Sequence, residues 1–186
     1  MTSARRRADA TENRARIIEA ARTELTDDPD FRLNAVAQRA GVGQGTLYRH
    51  FPTRADLLAE VYRADVDELV AAAGTLLEQH APVAALGAWF DRVAEYARVK
   101  RGVYAALEVA TWEDLSAHSL GPIGDAITLL LDAGKAAGEI RADVDARDVV
   151  ILIGYLSRLD APEFDTRARH LLSIVLDGLR GSTWTP

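Results

Sequence analysis

The chain has 186 residues, enough for one domain or two small ones with a proper core. It contains no cysteine, which excludes disulfides, thiolate metal ligands, a cysteine nucleophile and thiol redox sensing. Its net charge of −6 is uneven: residues 1–63 hold 11 arginines against 9 acids, and residues 64–186 hold 11 basic residues against 19 acids, so nucleic acid is drawn to the front of the chain and repelled by the rest.

The polar start Met1-Thr2-Ser3-Ala4-Arg5-Arg6-Arg7 is followed by no apolar stretch and does not read as a signal peptide. No run of about 18 apolar residues occurs, so a cytoplasmic protein without a membrane span is expected. Alanine, the best helix former, occurs 33 times. Pro29, Pro52, Pro82, Pro122 and Pro162, with Gly41, Gly102 and Gly138, separate apolar-periodic segments. These features predict an all-α chain of about nine helices. The first spans Thr11 to Thr26, with Thr11 as N-cap and Ile18, Ala21 and Leu25 facing inward. The second, Leu33 to Ala40, sets Leu33, Val36, Ala37 and Ala40 on one face. The third, Gln44 to His50, is short. The fourth starts after Thr53, where Thr53 and Asp56 have capping-box spacing, and runs towards Gln79. Later helices cover 82–100, 103–113, 122–137, 145–160 and 164–180. Val149-Val150-Ile151-Leu152-Ile153 is β-like, but no breaker interrupts Asp148 to Leu159, which favours a buried helix.

Leu33 to Tyr62 carries the chemistry. Gly41 can take the positive φ that ends a helix, and Val42 can anchor the turn to the core. A helix of two turns is unstable alone, so packing through Val42, Leu47 and Phe51 must hold Gln44 to His50 in place. Its other side then shows Gln44, Thr46, Tyr48, Arg49 and His50 to solvent, with no carboxylate among them. Such a face suits phosphates and base edges. This is the layout of a helix-turn-helix, whose second helix enters the DNA major groove. Tyr48 also reads as a core aromatic with its hydroxyl outward. Arg5, Arg6 and Arg7 read either as a basic arm along DNA or as a plain tail.

The stretch Ala37-Gln38-Arg39-Ala40-Gly41-Val42-Gly43-Gln44-Gly45-Thr46-Leu47-Tyr48-Arg49-His50-Phe51, followed by Thr53-Arg54-Ala55-Asp56-Leu57-Leu58, resembles the DNA-binding domain of TetR-family transcriptional regulators. The resemblance covers residues 11–62. Lys100-Arg101-Gly102 and Ala136-Ala137-Gly138-Glu139-Ile140-Arg141-Ala142-Asp143-Val144 are similar to a subgroup with an SbtR-like C-terminal domain. The family likeness implies a three-helix helix-turn-helix domain over 11–53 behind a mobile arm at 1–10. A helical ligand-binding and dimerisation domain over 54–181 and a tail at 182–186 complete the chain. It also implies a homodimer on a palindromic double-stranded DNA operator, released when a small-molecule effector enters the C-terminal domain. By position, Gln44, Thr46 and Arg49 would face bases or nearby phosphates, Tyr48, His50 and Arg54 the DNA backbone, and Gly45 would let the helix come close. Two positions depart from the family pattern. Arg32 stands where a capping hydroxyl is common; it can bind a phosphate but caps poorly. Gly43 stands where serine is common and removes a side-chain contact.

Further on, Trp89, Val93 and Tyr96 share a helix face, as do Tyr104, Leu107 and Glu108. Small ligands are held by apolar pockets with a few polar groups. Trp89, Tyr96, Tyr104, Glu108, Trp112, His118, Thr128 and Tyr155 are the candidates, against the plainer reading that the aromatics fill core. The acids of this region admit a cationic ligand without selecting it over a neutral one. In the last helix Ala168, Leu171, Leu172, Val175, Leu176 and Leu179 form an apolar face that Ile174 widens. Val149, Leu152, Ile153 and Leu156 give the preceding helix a similar face. Paired about a two-fold axis these helices make a four-helix dimer interface; internal packing of a monomer is the alternative.

Catalysis finds little support. His50, His80, His118 and His170 form neither HxxxH nor ExxH, and the sequence has no Gly-rich phosphate loop and no GxSxG. No metal or cofactor is therefore expected. A ligand-responsive repressor is the expected function. Its rivals are a sequence-indifferent architectural DNA binder and a small helical enzyme or ligand carrier.

Overall fold

A computed structural model of the chain describes residues 2–28, 30–159 and 163–181, without the side chains of residues 2–7, 109, 110, 157, 158 and 165. The tail at 182–186 and the expected breaks at Pro29 and Pro162 lie outside the described residues. The fold is all-α, as expected. Its helices are α1 (Thr2–Asp27), α2 (Leu33–Arg39), α3 (Gln44–His50), α4 (Arg54–Gln79), α5 (Pro82–Ala106), α6 (Val109–Ala136), α7 (Ala146–Gly154) and α8 (Phe164–Leu179). A 3-10 turn, Tyr155–Arg158, follows α7.

The chain forms two compact units. The first runs to Ala64 and takes in Val99–Glu113; the second holds Asp65–Arg98 and the chain from Asp114 onward. In the first, Ile17, Ala21 and Leu25 of α1 are buried with Val36 of α2, Leu47 of α3 and Leu57, Leu58 and Val61 of α4. Polar contacts fix the helices on this core. Arg39 donates to Glu24 at 2.5 Å and Asp27 at 3.2 Å, tying α2 to α1, and the Glu24 bond raises the guanidinium pKa. Arg14 pairs with Glu60 at 2.6 Å and ties α1 to α4. In the turn after α2, Gly41 takes the positive φ that the sequence suggests, +64°, and the Val42 N–H donates to the Ala37 carbonyl at 3.0 Å, while the Val42 side chain expected in the core is only partly buried. At the head of α4, Asp56 N–H donates to Thr53 Oγ1 and Thr53 N–H to Asp56 Oδ2, both at 3.1 Å. That is a capping box with aspartate in the glutamate position.

In the second unit, Trp89 is fully buried and its indole N–H donates to the Leu69 carbonyl at 2.9 Å. The turn after α6 closes on Gly138, at φ +70°. There the buried Ile140 sits so close to Gly134 that a Cβ would collide with it, and the Arg141 N–H donates to the Leu179 carbonyl at 3.0 Å. The Glu139 carboxylate accepts from the Val83 N–H at 3.0 Å, in the first turn of α5. Asp145 and Asp148 form a second capping box at the start of α7.

Several boundaries differ from expectation. Helix α1 begins at Thr2, so the stretch read as an arm is helical from there and Thr11 lies inside the helix rather than capping it. No separate helix covers 103–113. Helix α5 continues through Gly102, and α6 runs unbroken through Gly121-Pro122; the break falls at Leu107-Glu108. Gly102 is small because Leu25 packs on it: a Cβ would lie 3.0–3.3 Å from that side chain. Pro122 deletes one helical hydrogen bond, at a cost of about 3 kcal/mol. Burial of Ile123, Ile127, Leu130 and Leu131 on one face of α6 outweighs it, at about 1.5–3 kcal/mol each. The apolar run at 149–153 is helical, but it is not buried throughout: Val149 is, whereas Ile151 and Leu152 stand in solvent.

Candidate nucleic-acid interface

The short helix α3 has one apolar anchor and one open side. Leu47 is fully buried. Gln44, Gly45, Tyr48 and Arg49 are exposed, and Thr46 and His50 are partly so. Tyr48 is 47% exposed, so it is no core aromatic. The Arg49 guanidinium folds back along the helix, with Nε donating to the Gly45 carbonyl at 2.9 Å and Nη2 to Thr46 Oγ1 at 3.1 Å. Exposed bonds of this kind contribute little and exchange readily for a phosphate. The sequence QGTLYRH brings no carboxylate to this side.

Both glycines flanking Gln44 are free of internal constraint. A Cβ on Gly43 or Gly45 would meet nothing within 4 Å. Gly43 is the N-cap of α3 and supplies no side-chain cap. Arg32 is likewise the N-cap of α2 and makes no capping bond, so its exposed side chain remains available. Arg54, the first residue of α4, lays its guanidinium 4.7 Å from the centroid of the Phe31 ring. The side chains of Arg5, Arg6 and Arg7 lie outside the described residues.

Beside His50 lies an open cavity of about 350 Å³, lined also by Arg14, Phe51, Asp56 and Arg63. Arg14 sits 5.5 Å from the Phe51 ring centroid. Arg14 and Arg63 were not singled out from the sequence, because each reads there as a solvated helix charge. Only the packing of α1 against α4 brings them together.

The remaining site candidates divide between the units. Tyr104, Glu108 and Trp112 belong to the first, and Trp89, Tyr96, His118, Thr128 and Tyr155 to the second. Trp89 is core. Tyr96 is partly buried, while Glu108, His118, Thr128 and Tyr155 are exposed. The Thr128 hydroxyl donates to the Gly124 carbonyl at 2.9 Å, and His118 Nδ1 donates to the Asp114 carbonyl at 2.7 Å. Tyr104 and Trp112 meet edge-on, with centroids 5.4 Å apart. The wide apolar arc of the last two helices is really two surfaces. Val149, Leu156, Ala168, Leu172 and Leu179 are buried within their own chain. Leu152 is exposed, and Ile153, Leu171, Val175 and Leu176 are partly so. Ile151, Tyr155 and Ile174 add to the open surface.

No helix among the described residues is long and apolar enough to cross a membrane. Comparison with known proteins agrees with the shape of α2 and α3. The family model for bacterial regulatory proteins of the tetR family matches residues 17–61, and that for the C-terminal domain of SbtR-like transcriptional regulators matches residues 81–181. Among solved structures, a TetR transcriptional regulator from Streptomyces coelicolor is 38% identical with a TM-score of 0.80, over 90% of this chain and 98% of that one. A TetR transcription regulatory protein from Mycobacterium vanbaalenii is 31% identical with a TM-score of 0.76, over 94% of this chain and 99% of that one. An HTH-type transcriptional regulator of Staphylococcus aureus is 41% identical over 63 residues, 33% of this chain and 34% of its own length. The chain thus spans a third of the length of the curated relatives it matches. On the first two of these matches, the chain belongs to the TetR family of bacterial helix-turn-helix transcriptional regulators and carries the SbtR-like form of the C-terminal domain.

Proposed function

We propose that this regulator is a repressor that binds a palindromic operator as a homodimer, in the cytoplasm, and leaves it when a small molecule binds. The observation that carries the reading is the open side of α3. Gln44, Thr46, Tyr48 and Arg49 stand there without a carboxylate, around a Gly45 that no internal contact requires. Glycine inside a helix costs about 0.5–1 kcal/mol relative to alanine, so its reason lies outside the subunit. Close approach of the helix to DNA supplies one. Gln44, Thr46 and Arg49 then reach base edges or nearby phosphates, and Arg32, Tyr48, His50 and Arg54 hold the backbone.

Two such helices, one per subunit, would enter successive major grooves about 34 Å apart. The exposed apolar side chains of α7 and α8 supply the surface for a second copy. Helix α4 takes part in both units, which makes it the natural lever. A ligand that binds better at another spacing of the readers draws the dimer off its operator.

The test is a gel shift on the DNA upstream of the chain's own gene. A discrete complex is expected, lost in the Tyr48→Ala plus Arg49→Ala variant. Equal affinity for unrelated duplexes would favour the architectural binder, for which phosphate contacts alone suffice. Ligand binding or turnover with no DNA complex would favour the carrier or enzyme.

A further inference from the structure

Lysine occupies two positions in the sequence, Lys100 and Lys135, beside 20 arginines. Lys135 donates to the Val144 carbonyl at 2.6 Å. Lys100 is placed differently. It is partly buried, and its ammonium lies 5.7 Å from the centroid of the Trp112 ring. Trp112 in turn meets two tyrosines edge-on: Tyr62 at 5.2 Å and Tyr104 at 5.4 Å between centroids. Tyr62 is buried and Tyr104 is 54% exposed, so the cluster leads from the core of the first unit to its surface.

Among the described residues, no carboxylate pairs with the Lys100 ammonium. Burial pulls its pKa below the ordinary lysine value, and no neighbouring acid offsets this. A ring face returns only part of what an ammonium loses on leaving water. The site is therefore short of one negative charge, and it already presents flat aromatic surface beside that charge.

We propose that Lys100, Trp112 and Tyr104 recognise a planar aromatic carboxylate, which is the effector of this regulator. Its carboxylate accepts hydrogen bonds from the Lys100 ammonium, in surroundings that strengthen an ion pair. Its ring packs against Tyr104 and Trp112 in the edge-on or offset manner these rings already use. Covering Tyr104 also keeps water from the ion pair. A cationic ligand would be repelled here, and a neutral one would leave the ammonium uncompensated. The acids that make the C-terminal part negative do not decide the matter, because none of them holds Lys100.

The proposal rests on the regulator reading only where it calls the ligand an effector; binding itself needs no DNA. Full-length protein is titrated with benzoate, salicylate, cinnamate and indole-3-acetate, and in parallel with the four corresponding amides, by calorimetry and tryptophan fluorescence. At least one acid is expected to saturate, with its amide weaker by about tenfold or more. Lys100→Met, which keeps an apolar stem over Trp112, should weaken that acid to a similar degree. Lys100→Arg should retain most of the binding, and Tyr104→Ala should weaken it. Failure of all four acids to saturate wild-type protein overturns the proposal, as does equal binding to Lys100→Met. Gel shifts on the same samples separate the two claims. An operator complex without acid binding overturns this site and leaves the regulator standing. Acid binding without any operator complex supports the site and overturns the repressor reading.

Discussion

Gly45 separates the demands of folding from those of binding. It lies in the first turn of α3, and a Cβ there would point into open space. Gly45→Ala should therefore stabilise the protein by up to about 1 kcal/mol, since alanine loses less backbone entropy in a helix. If α3 enters DNA as proposed, operator affinity should fall by about tenfold or more, because the methyl group would stand where the helix approaches the groove. Thermal melts and gel shifts on the one variant check both halves; unchanged affinity would leave the glycine unexplained. Lys100 makes a prediction of its own. Its folded pKa lies below the unfolded value, so between the two the unfolded chain binds more protons and stability rises with pH. Below both pKa values the lysine is charged in both states and the cost of its burial stands. Lys100→Met should melt no lower than wild type at pH 7, its sulfur still against Trp112. Any advantage should shrink as pH climbs through the folded pKa towards 10.5. A lower melting temperature at pH 7 would mean that the ammonium is held by a partner after all. What the sequence disclosed at this scale was local: Gly41 at its positive φ and the reciprocal Thr53–Asp56 bonds depend on neighbours a few residues away. Gly102 was misread as a break because its reason, Leu25, lies far along the chain.

At the scale of elements, α2, α3, α4 and α8 were legible, whereas the start of α1 and the extents of α5 and α6 were not. Helices α2 and α3 fall where composition and turn chemistry put them, since Gly41 ends one and Gly43 precedes the other within a few residues. Helices α5 and α6 override their own punctuation. Each buries a long apolar face, and that gain exceeds the cost of one glycine or one proline. Pro122 tests this balance. It sits exposed inside α6 and leaves the His118 carbonyl without its helical donor. Pro122→Ala should restore that bond and stabilise the protein by about 1–3 kcal/mol, less what alanine returns in unfolded-chain entropy. At about 2–4 °C per kcal/mol for a chain of this size, the melting temperature should rise by several degrees. A fall would show that the shape proline imposes on α6 is itself needed for packing.

For the whole molecule, the decisive quantity is what α7 and α8 leave uncovered. Helix α7 is apolar on two sides. Val149 is buried within the chain, while Ile151 and Leu152 are 55% and 49% exposed. Tyr155, in the turn that follows, and Ile174 of α8 are 61% and 53% exposed. Sequence periodicity showed an apolar arc too wide for one contact, but it could not say which residues the chain keeps for itself; that depends on how α7 and α8 pack in three dimensions. Covering four half-exposed side chains is worth about 1 kcal/mol each, or about 8 kcal/mol over two subunits. Association costs at least about 4 kcal/mol, so these residues alone give a weak dimer. The partly buried Leu171, Val175 and Leu176 must contribute if the pairing is to hold at micromolar concentration. Leu152→Glu combined with Ile174→Glu would place four carboxylates in the paired surface of a two-fold dimer, with no partner for any of them. Sedimentation at about 10 μM, the range of affinity argued here, should show a dimer for wild type and a monomer for the variant. Circular dichroism of the variant should stay helical, because neither position is core. Its operator complex should disappear, since one reader reaches one half-site only. A wild type that sediments as a monomer yet still forms the discrete complex would remove the two-fold geometry from the mechanism. A variant that stays dimeric would move the interface off this face.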